Sequence, residues 1–213
     1  MDSKENRLMV DNLLEKGYAD SKVASAMLKM PREFFLPESA RKYAYEDHPL
    51  PIGENQTISA PSIVAYMTML LEIKQGDKVL EIGTGSGWQA ALLCALGANV
   101  FSIERLEHLA ENARANLEKN NLKEVKVIVG DGTLGYEEEA PYDKIIITAA
   151  TPQIPQPLVC QLKEGGRIVA PVGVRFHQDL LLGKKINGEL ITENALAVIF
   201  VPLIGQFGFR EEG

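Results

Sequence analysis

The apolar positions of this chain change period near residue 78. Before that point helical spacing dominates: Leu8, Val10, Leu13 and Leu14 recur at near-helical intervals within residues 2–16, with Ser3 placed as an N-cap and Gly17 just past the end. A second helix is predicted from Ser21 to a stop before Pro31. The stretch 31–56, PREFFLPESARKYAYEDHPLPIGENQ, is crowded with prolines, aromatics and charges and predicts short helices and loops packed on a larger body. TISAP follows, and Pro61 suits the first turn of a third helix that runs through SIVAYMTMLLEI.

From residue 78 short apolar runs alternate with helical patterns. KVLEIG (78–83), NVFSIE (99–104), VKVIV (125–129), DKIIIT (143–148) and GRIVAPV (166–172) read as strands. WQAALLCALG (88–97), the span 106–120 and PLVCQLKE (157–164) read as helices between them. Such alternation predicts an α/β fold with a mostly parallel, doubly wound sheet covered on both faces. The tail differs, because DLLLGKKI and ELITENALAVIFVPL are β-rich and Asn187-Gly188 between them is a strong hairpin signal. Antiparallel C-terminal strands are therefore expected. One domain over residues 1–213 follows, comprising a helical cap and loop (1–60), a ligand-binding core (61–175) and a C-terminal hairpin with its strands (176–213).

Composition narrows the partners. A formal charge of -7 argues against a surface that tracks phosphates, so nucleic acid is a disfavoured partner. The N-terminus has no apolar stretch of signal-peptide or membrane-spanning length, which predicts a cytoplasmic protein with no membrane partner. A monomer is expected. Cys94 and Cys160 lack the spacing of a metal site or redox pair and read as reduced core thiols, and no metal is expected. His48, His108 and His177 lie in no motif that requires an imidazole and read as surface or loop residues.

VLEIGTGSGWQAA places Gly83, Gly85 and Gly87 between a buried strand and a helix N-terminus, so backbone can approach a nucleotide-like ligand closely. The dinucleotide fingerprint wants a glycine three residues after the second one, where this chain has Trp88, and NAD fits poorly. The spacing instead suits a ligand without phosphate, an amino-acid moiety joined to adenosine, such as S-adenosylmethionine. Glu81 is a candidate acceptor for the ligand's ammonium, or a solvated acid at a strand end. Glu104 closes the second strand of the series, where a carboxylate takes both ribose hydroxyls. In GDGT, Asp131 or the amide of Gly132 can meet the adenine edge, although an Asp-Gly turn explains the same letters.

The segment GENQTISAPSIVA gathers the hydroxyls of Thr57 and Ser59 just before a helix opened by Pro61, an arrangement that favours a carboxylate; plain N-capping by either is the alternative. Taken together, QTISAP (56–61), VLEIGTGSGWQAA (79–91), SIER with Glu104, GDGT (130–133), PYDKIIITAA (141–150), APVG (170–173) and FVPL (200–203) make the chain resemble the protein-L-isoaspartate (D-aspartate) O-methyltransferases over nearly its whole length. The nucleotide motif is shared with many methyltransferases; TISAP and FVPL are narrower.

The resemblance implies a Rossmann-like class I methyltransferase fold. It implies S-adenosylmethionine as methyl donor, S-adenosylhomocysteine as product, and isoaspartyl-containing proteins and peptides as substrates, methylated for repair. It implies Ser59 as the active-site hydroxyl, a floor made of Thr57, Ile58 and Ser59 where cofactor and acceptor meet, and cofactor contacts at Glu81, Glu104, Asp131 and Gly132 beside the loop glycines Gly83 and Gly85. Family members often carry histidine after the TISAP proline where this chain has Ser62, so no imidazole is carried over there; Trp88 stands for a more usual tyrosine. The rival readings are a methyltransferase acting on a small molecule or tRNA, and a noncatalytic adenosyl-ligand sensor.

Overall fold

Ser3 accepts a hydrogen bond from the Asn6 amide (3.1 Å) and so starts α1, Lys4–Glu15. Asp20 does the same for Val23 (2.8 Å) at the head of α2, Ser21–Lys29. The computed structural model describes residues 3–211, and the first residue of the helix expected at 2–16 lies outside that range.

Two short 3-10 turns, Arg32–Phe35 and Glu38–Tyr43, occupy the proline-rich stretch as expected. That stretch also contains an unexpected hairpin, β1 (Leu50–Gly53) paired antiparallel with β2 (Gln56–Ile58). Its turn residues Glu54 and Asn55 both have positive φ (51° and 55°), the geometry of a tight hairpin turn. Glutamate is outside the usual turn pairs, so the sequence carried no signal for it.

After α3 (Pro61–Leu71) come β3 (Lys78–Ile82), α4 (Trp88–Ala95), β4 (Asn99–Glu104), α5 (Glu107–Lys119), β5 (Lys126–Val129), β6 (Tyr142–Ile147), α6 (Gln156–Gln161), β7 (Leu162–Val174), β8 (His177–Ile186) and β9 (Glu189–Val198). The seven-stranded sheet has the order β5-β4-β3-β6-β7-β8-β9. The first five strands in that order run parallel, and β8 and β9 are antiparallel, as the pattern predicted. Asn187 (φ 54°) and Gly188 (φ 82°) form the expected turn between them. Two boundaries differ from expectation. The sixth helix ends at Gln161 and β7 begins at Leu162, because Leu162 already pairs with Tyr142. The last strand stops at Val198, and FVPL leaves the sheet edge to lie along the end of β6, where Leu203 N donates to the Ala150 carbonyl (2.7 Å) and Ala150 N to that of Val201 (2.8 Å).

Strand alternation divides the core. Val79, Val100, Ile146 and Val169 face α2, α3 and α4, while Leu80, Ile82, Phe101, Ile103 and Ile145 face α6 and the C-terminal segment around Leu203. The chain leaves β3 toward β4 and β5 on one side and returns to β6 on the other, so a crevice opens at the carboxyl ends of β3 and β6. Among the described residues no helix is long and apolar enough to cross a membrane, and no group of side chains could hold a metal ion. Both cysteines are free thiols, but Cys160 is exposed rather than in the core, on the outer face of the short α6.

Candidate active site

Three consecutive odd-numbered glycines make the turn out of β3. Gly83, Gly85 and Gly87 all have positive φ (97°, 52° and 87°). At Gly83 a Cβ would stand 2.5 Å from the Thr148 hydroxyl, so the backbone there is as close to β6 as it can be. That hydroxyl lies 2.6 Å from the Gly83 carbonyl and 2.9 Å from the Ile82 carbonyl, and pins the loop from the side. Glu104 pins it from the other side: Oε2 accepts from Gly85 N (2.9 Å) and Oε1 from Leu106 N (3.1 Å).

A cleft of about 260 Å³ lies over this turn, lined by Gly83, Gly85, Glu104, Gly132, Thr57 and Thr148 among others. Among the described residues three carboxylates border it, Glu54, Glu104 and Glu211, and one cation, Arg105, which is held by Glu211 at 3.1 Å. An acidic rim suits a ligand with cationic groups and opposes a pyrophosphate.

A second cavity, about 820 Å³, is lined by Ser59, Ala60, Ile63, Arg175, Phe176 and Ile199, and shares Thr57, Thr148, Val201 and Pro202 with the first. The two spaces therefore meet at the two threonines. Ser59, Ile58, Gly83 and Gly85 also line one narrow gap of about 50 Å³, which puts the TISAP segment directly against the glycine turn.

Most of the residues singled out in the sequence come together here, with three departures. Glu81 is 0 % exposed and absent from the cleft walls. It shares the parity of Val79, so the strand turns it into the layer under α3 and α4, where Oε2 takes the Ser102 hydroxyl at 2.5 Å and Ser102 meets Thr84 at 2.6 Å. Burial pushes its carboxyl up to about 8, with Ser102 opposing and Glu104 adding to the shift. A direct grip on an ammonium group is not what this placement provides.

Asp131 is the second departure. Its Oδ1 accepts from Thr133 N (2.8 Å) and Thr133 Oγ1 (2.6 Å), and its Oδ2 from Gln206 N (2.8 Å). The side chain thus fastens the C-terminal segment, and it is Gly132 that lines the cleft. Third, neither Thr57 nor Ser59 caps α3: the N-cap is Ala60, and the Ser62 amide is already taken by Asp47 Oδ1 at 2.9 Å. The helix end is filled by an internal carboxylate, which leaves Ser59 facing the cavities.

Thr148 went unnoticed in the sequence, although its position one residue past β6 on the ligand edge of the sheet was a usable signal. The roles of Val201 and Pro202 as shared walls appear only once FVPL is seen to cross back over β6.

The comparisons with known proteins agree with this geometry. Residues 3–208 match the family model described as protein-L-isoaspartate(D-aspartate) O-methyltransferase. The chain belongs to that family. A protein-L-isoaspartate O-methyltransferase of Methanoculleus marisnigri is 54% identical over 210 residues, covering 98% of this chain and 96% of that protein. Among solved structures, one protein-L-isoaspartate O-methyltransferase superposes with a TM-score of 0.88 at 31% identity, covering 95% of this chain and 67% of the other. The Plasmodium falciparum β-aspartate methyltransferase, solved in complex with S-adenosyl-L-homocysteine, gives 0.84 at 25% identity, covering 95% of this chain and 99% of the other.

Proposed function

We infer that this protein transfers a methyl group from S-adenosylmethionine to the free carboxylate of L-isoaspartyl residues in damaged proteins. The observation that carries the reading is the meeting of two cavities at Thr57 and Thr148, one acidic and built on the glycine turn, the other open and partly apolar.

The residues present fit the cofactor. Close backbone at Gly83 and at Gly132, where a Cβ would stand 2.5 Å from Ile82 Cγ2, leaves room that larger residues would fill. Glu104 keeps lone pairs for ribose hydroxyls while its two oxygens hold the loop. When bound, the sulfonium supplies an activated methyl group: the acceptor oxygen bonds to that carbon as the carbon–sulfur bond breaks toward sulfur, giving a methyl ester and S-adenosylhomocysteine.

The acceptor carboxylate, with a pKa of about 4, is already ionised at neutral pH, so the chain need not supply a general base. Its task is alignment of the carboxylate oxygen with the methyl group. Ser59 and Arg175 both line the acceptor cavity, the Arg175 guanidinium donating to the Arg210 carbonyl at 2.8 Å. Exposed Phe176 and Ile199 give that cavity apolar walls suited to the residues flanking an isoaspartyl site. The charge of -7 supports a protein substrate over nucleic acid.

The test is incubation with methyl-labelled S-adenosylmethionine and matched peptides containing aspartate or isoaspartate. Base-labile label on the isoaspartyl peptide alone is expected; equal labelling of both peptides, or of neither, overturns the reading. Two variants refine it. Ser59→Ala should lower turnover about tenfold or more, by loss of one positioning hydrogen bond, with S-adenosylhomocysteine still bound; full activity would remove Ser59 from the chemistry. Glu104→Gln should weaken the affinity for S-adenosylhomocysteine by about tenfold or more, since hydrogen bonds to a charged group contribute about 1.5–3 kcal/mol. An unchanged affinity in titration calorimetry would contradict the ribose assignment.

A further inference from the structure

Arg32 directly follows Pro31 in the charged stretch before TISAP, yet it is 0 % exposed. Arginine is rarely buried without partners, and here the partners are five backbone carbonyls. Nη1 donates to Ala44 (3.0 Å) and Glu46 (3.3 Å), and Nη2 to His48 (3.0 Å), Ile58 (3.3 Å) and Ser59 (2.9 Å). The last two belong to the acceptor segment itself. The guanidinium also lies 5.6 Å from the ring centroid of Trp88, the residue that follows the glycine turn, and the indole N–H is fixed on the Met30 carbonyl at 2.8 Å.

One side chain therefore touches the supports of both loops. Its charge is balanced by Asp47, which in turn holds the Ser62 amide at the head of α3. Burial lowers the guanidinium to about 10, which leaves it protonated at neutral pH. Neither the cofactor cleft nor the acceptor cavity counts Arg32 in its walls.

We propose that Arg32 is a positioning residue for methyl transfer, holding Thr57–Ser59 at a set distance from the glycine turn while touching neither cofactor nor acceptor. The physical reason is geometric. A planar fork with several fixed N–H directions serves carbonyls from two chain segments, 44–48 and 58–59, at once and still presents a flat face to an indole. A lysine ammonium in its place has three donors on one atom and no flat face, so some of the five carbonyls lose their partner and the segment gains freedom. Misplacement of reacting groups by about 1 Å costs about a hundredfold in rate, whereas the cofactor's own contacts, at Gly83 and Glu104, are untouched.

The inference rests on the proposed reaction, and methyl transfer by the wild-type enzyme is the control whose failure would strike that reaction instead. Arg32→Lys is expected to lower kcat about tenfold or more while the Kd for S-adenosylhomocysteine changes less than about threefold, measured well below the variant's melting temperature. A merely structural arginine would lower the melting temperature and leave kcat intact in the cold. That outcome, or a loss of cofactor affinity equal to the loss of kcat, overturns the proposal. Asp47→Asn, at an exposed position, carries the same test where folding is not at stake: it keeps an acceptor for Ser62 and removes the balancing charge. There kcat is expected to fall about threefold with cofactor affinity unchanged, and a wild-type kcat in this variant overturns the proposal as well.

Discussion

Alanine at position 83 is expected to weaken the affinity for S-adenosylhomocysteine at least about a hundredfold. Gly83 has a φ of 97°, which costs a residue with a Cβ about 1–2 kcal/mol by itself. The added carbon would also stand 2.5 Å from Thr148 Oγ1. Thr148 has little room to yield, because its hydroxyl lies against the carbonyls of Ile82 and Gly83 and its amide donates to Ile82 (2.9 Å). Displacing it strips buried carbonyls of a partner, at about 1–3 kcal/mol each, so the loop shifts instead and the floor of the cleft rises. Gly17→Ala is the matched control: its φ is 75°, but nothing lies within 4 Å of the new Cβ and it is remote from the site. Titration calorimetry should show wild-type affinity for the control and near loss for Gly83→Ala. Equal, wild-type affinity in both would mean that the glycine turn does not hold the ligand.

The second large effect concerns stability and pH. Burial raises the Glu81 carboxyl from 4.5 to about 8 in the folded protein, so at neutral pH the folded chain keeps a proton that the unfolded chain has lost. Its contribution to stability is complete below about pH 4.5 and is lost as pH rises through about 8, at on the order of 1 kcal/mol per pH unit. The unpartnered Oε1 and the neighbouring Glu104 both oppose ionisation. Glu81→Gln keeps an oxygen for the Ser102 hydroxyl and removes the titration. Melting temperatures of the wild type should therefore fall between pH 5 and pH 8 relative to the variant, which should be the more stable protein at pH 8 by several degrees. Parallel profiles for the two proteins would show that Glu81 is ionised when folded.

These two residues illustrate how unevenly the site was written in the sequence. GTGSG after a buried strand already implied close backbone and a phosphate-free nucleoside, because glycine adopts such turns without a Cβ in the way and Trp88 spoils the dinucleotide pattern. Glu104 was legible for a similar reason, since the end of a parallel strand points at the crevice. Glu81, one strand position before Ile82, is an acid in the same motif, yet it points into the layer under the helices. The period of two in a strand permits either face, and only packing chose between them. At GDGT the sequence left the Asp131 side chain, the Gly132 amide and a plain turn open: the side chain's partner, the Gln206 amide, is distant in sequence, and no local pattern announces such a bond.

By itself the sequence determined the order of strands and helices from Pro61 onward, the antiparallel hairpin at Asn187-Gly188, the glycine turn and the resemblance to a methyltransferase family. The elements and turns follow from local conformational cost and from the spacing of apolar residues, which a chain carries before it folds; the family was legible only as a resemblance of motifs such as TISAP and FVPL. Tertiary structure alone decided that Arg32 gathers five carbonyls, that Asp47 rather than a serine or threonine fills the head of α3, and that FVPL returns across β6 to wall both cavities. Those arrangements depend on which buried polar groups are left needing partners once the layers close, and that demand arises only in the packed chain.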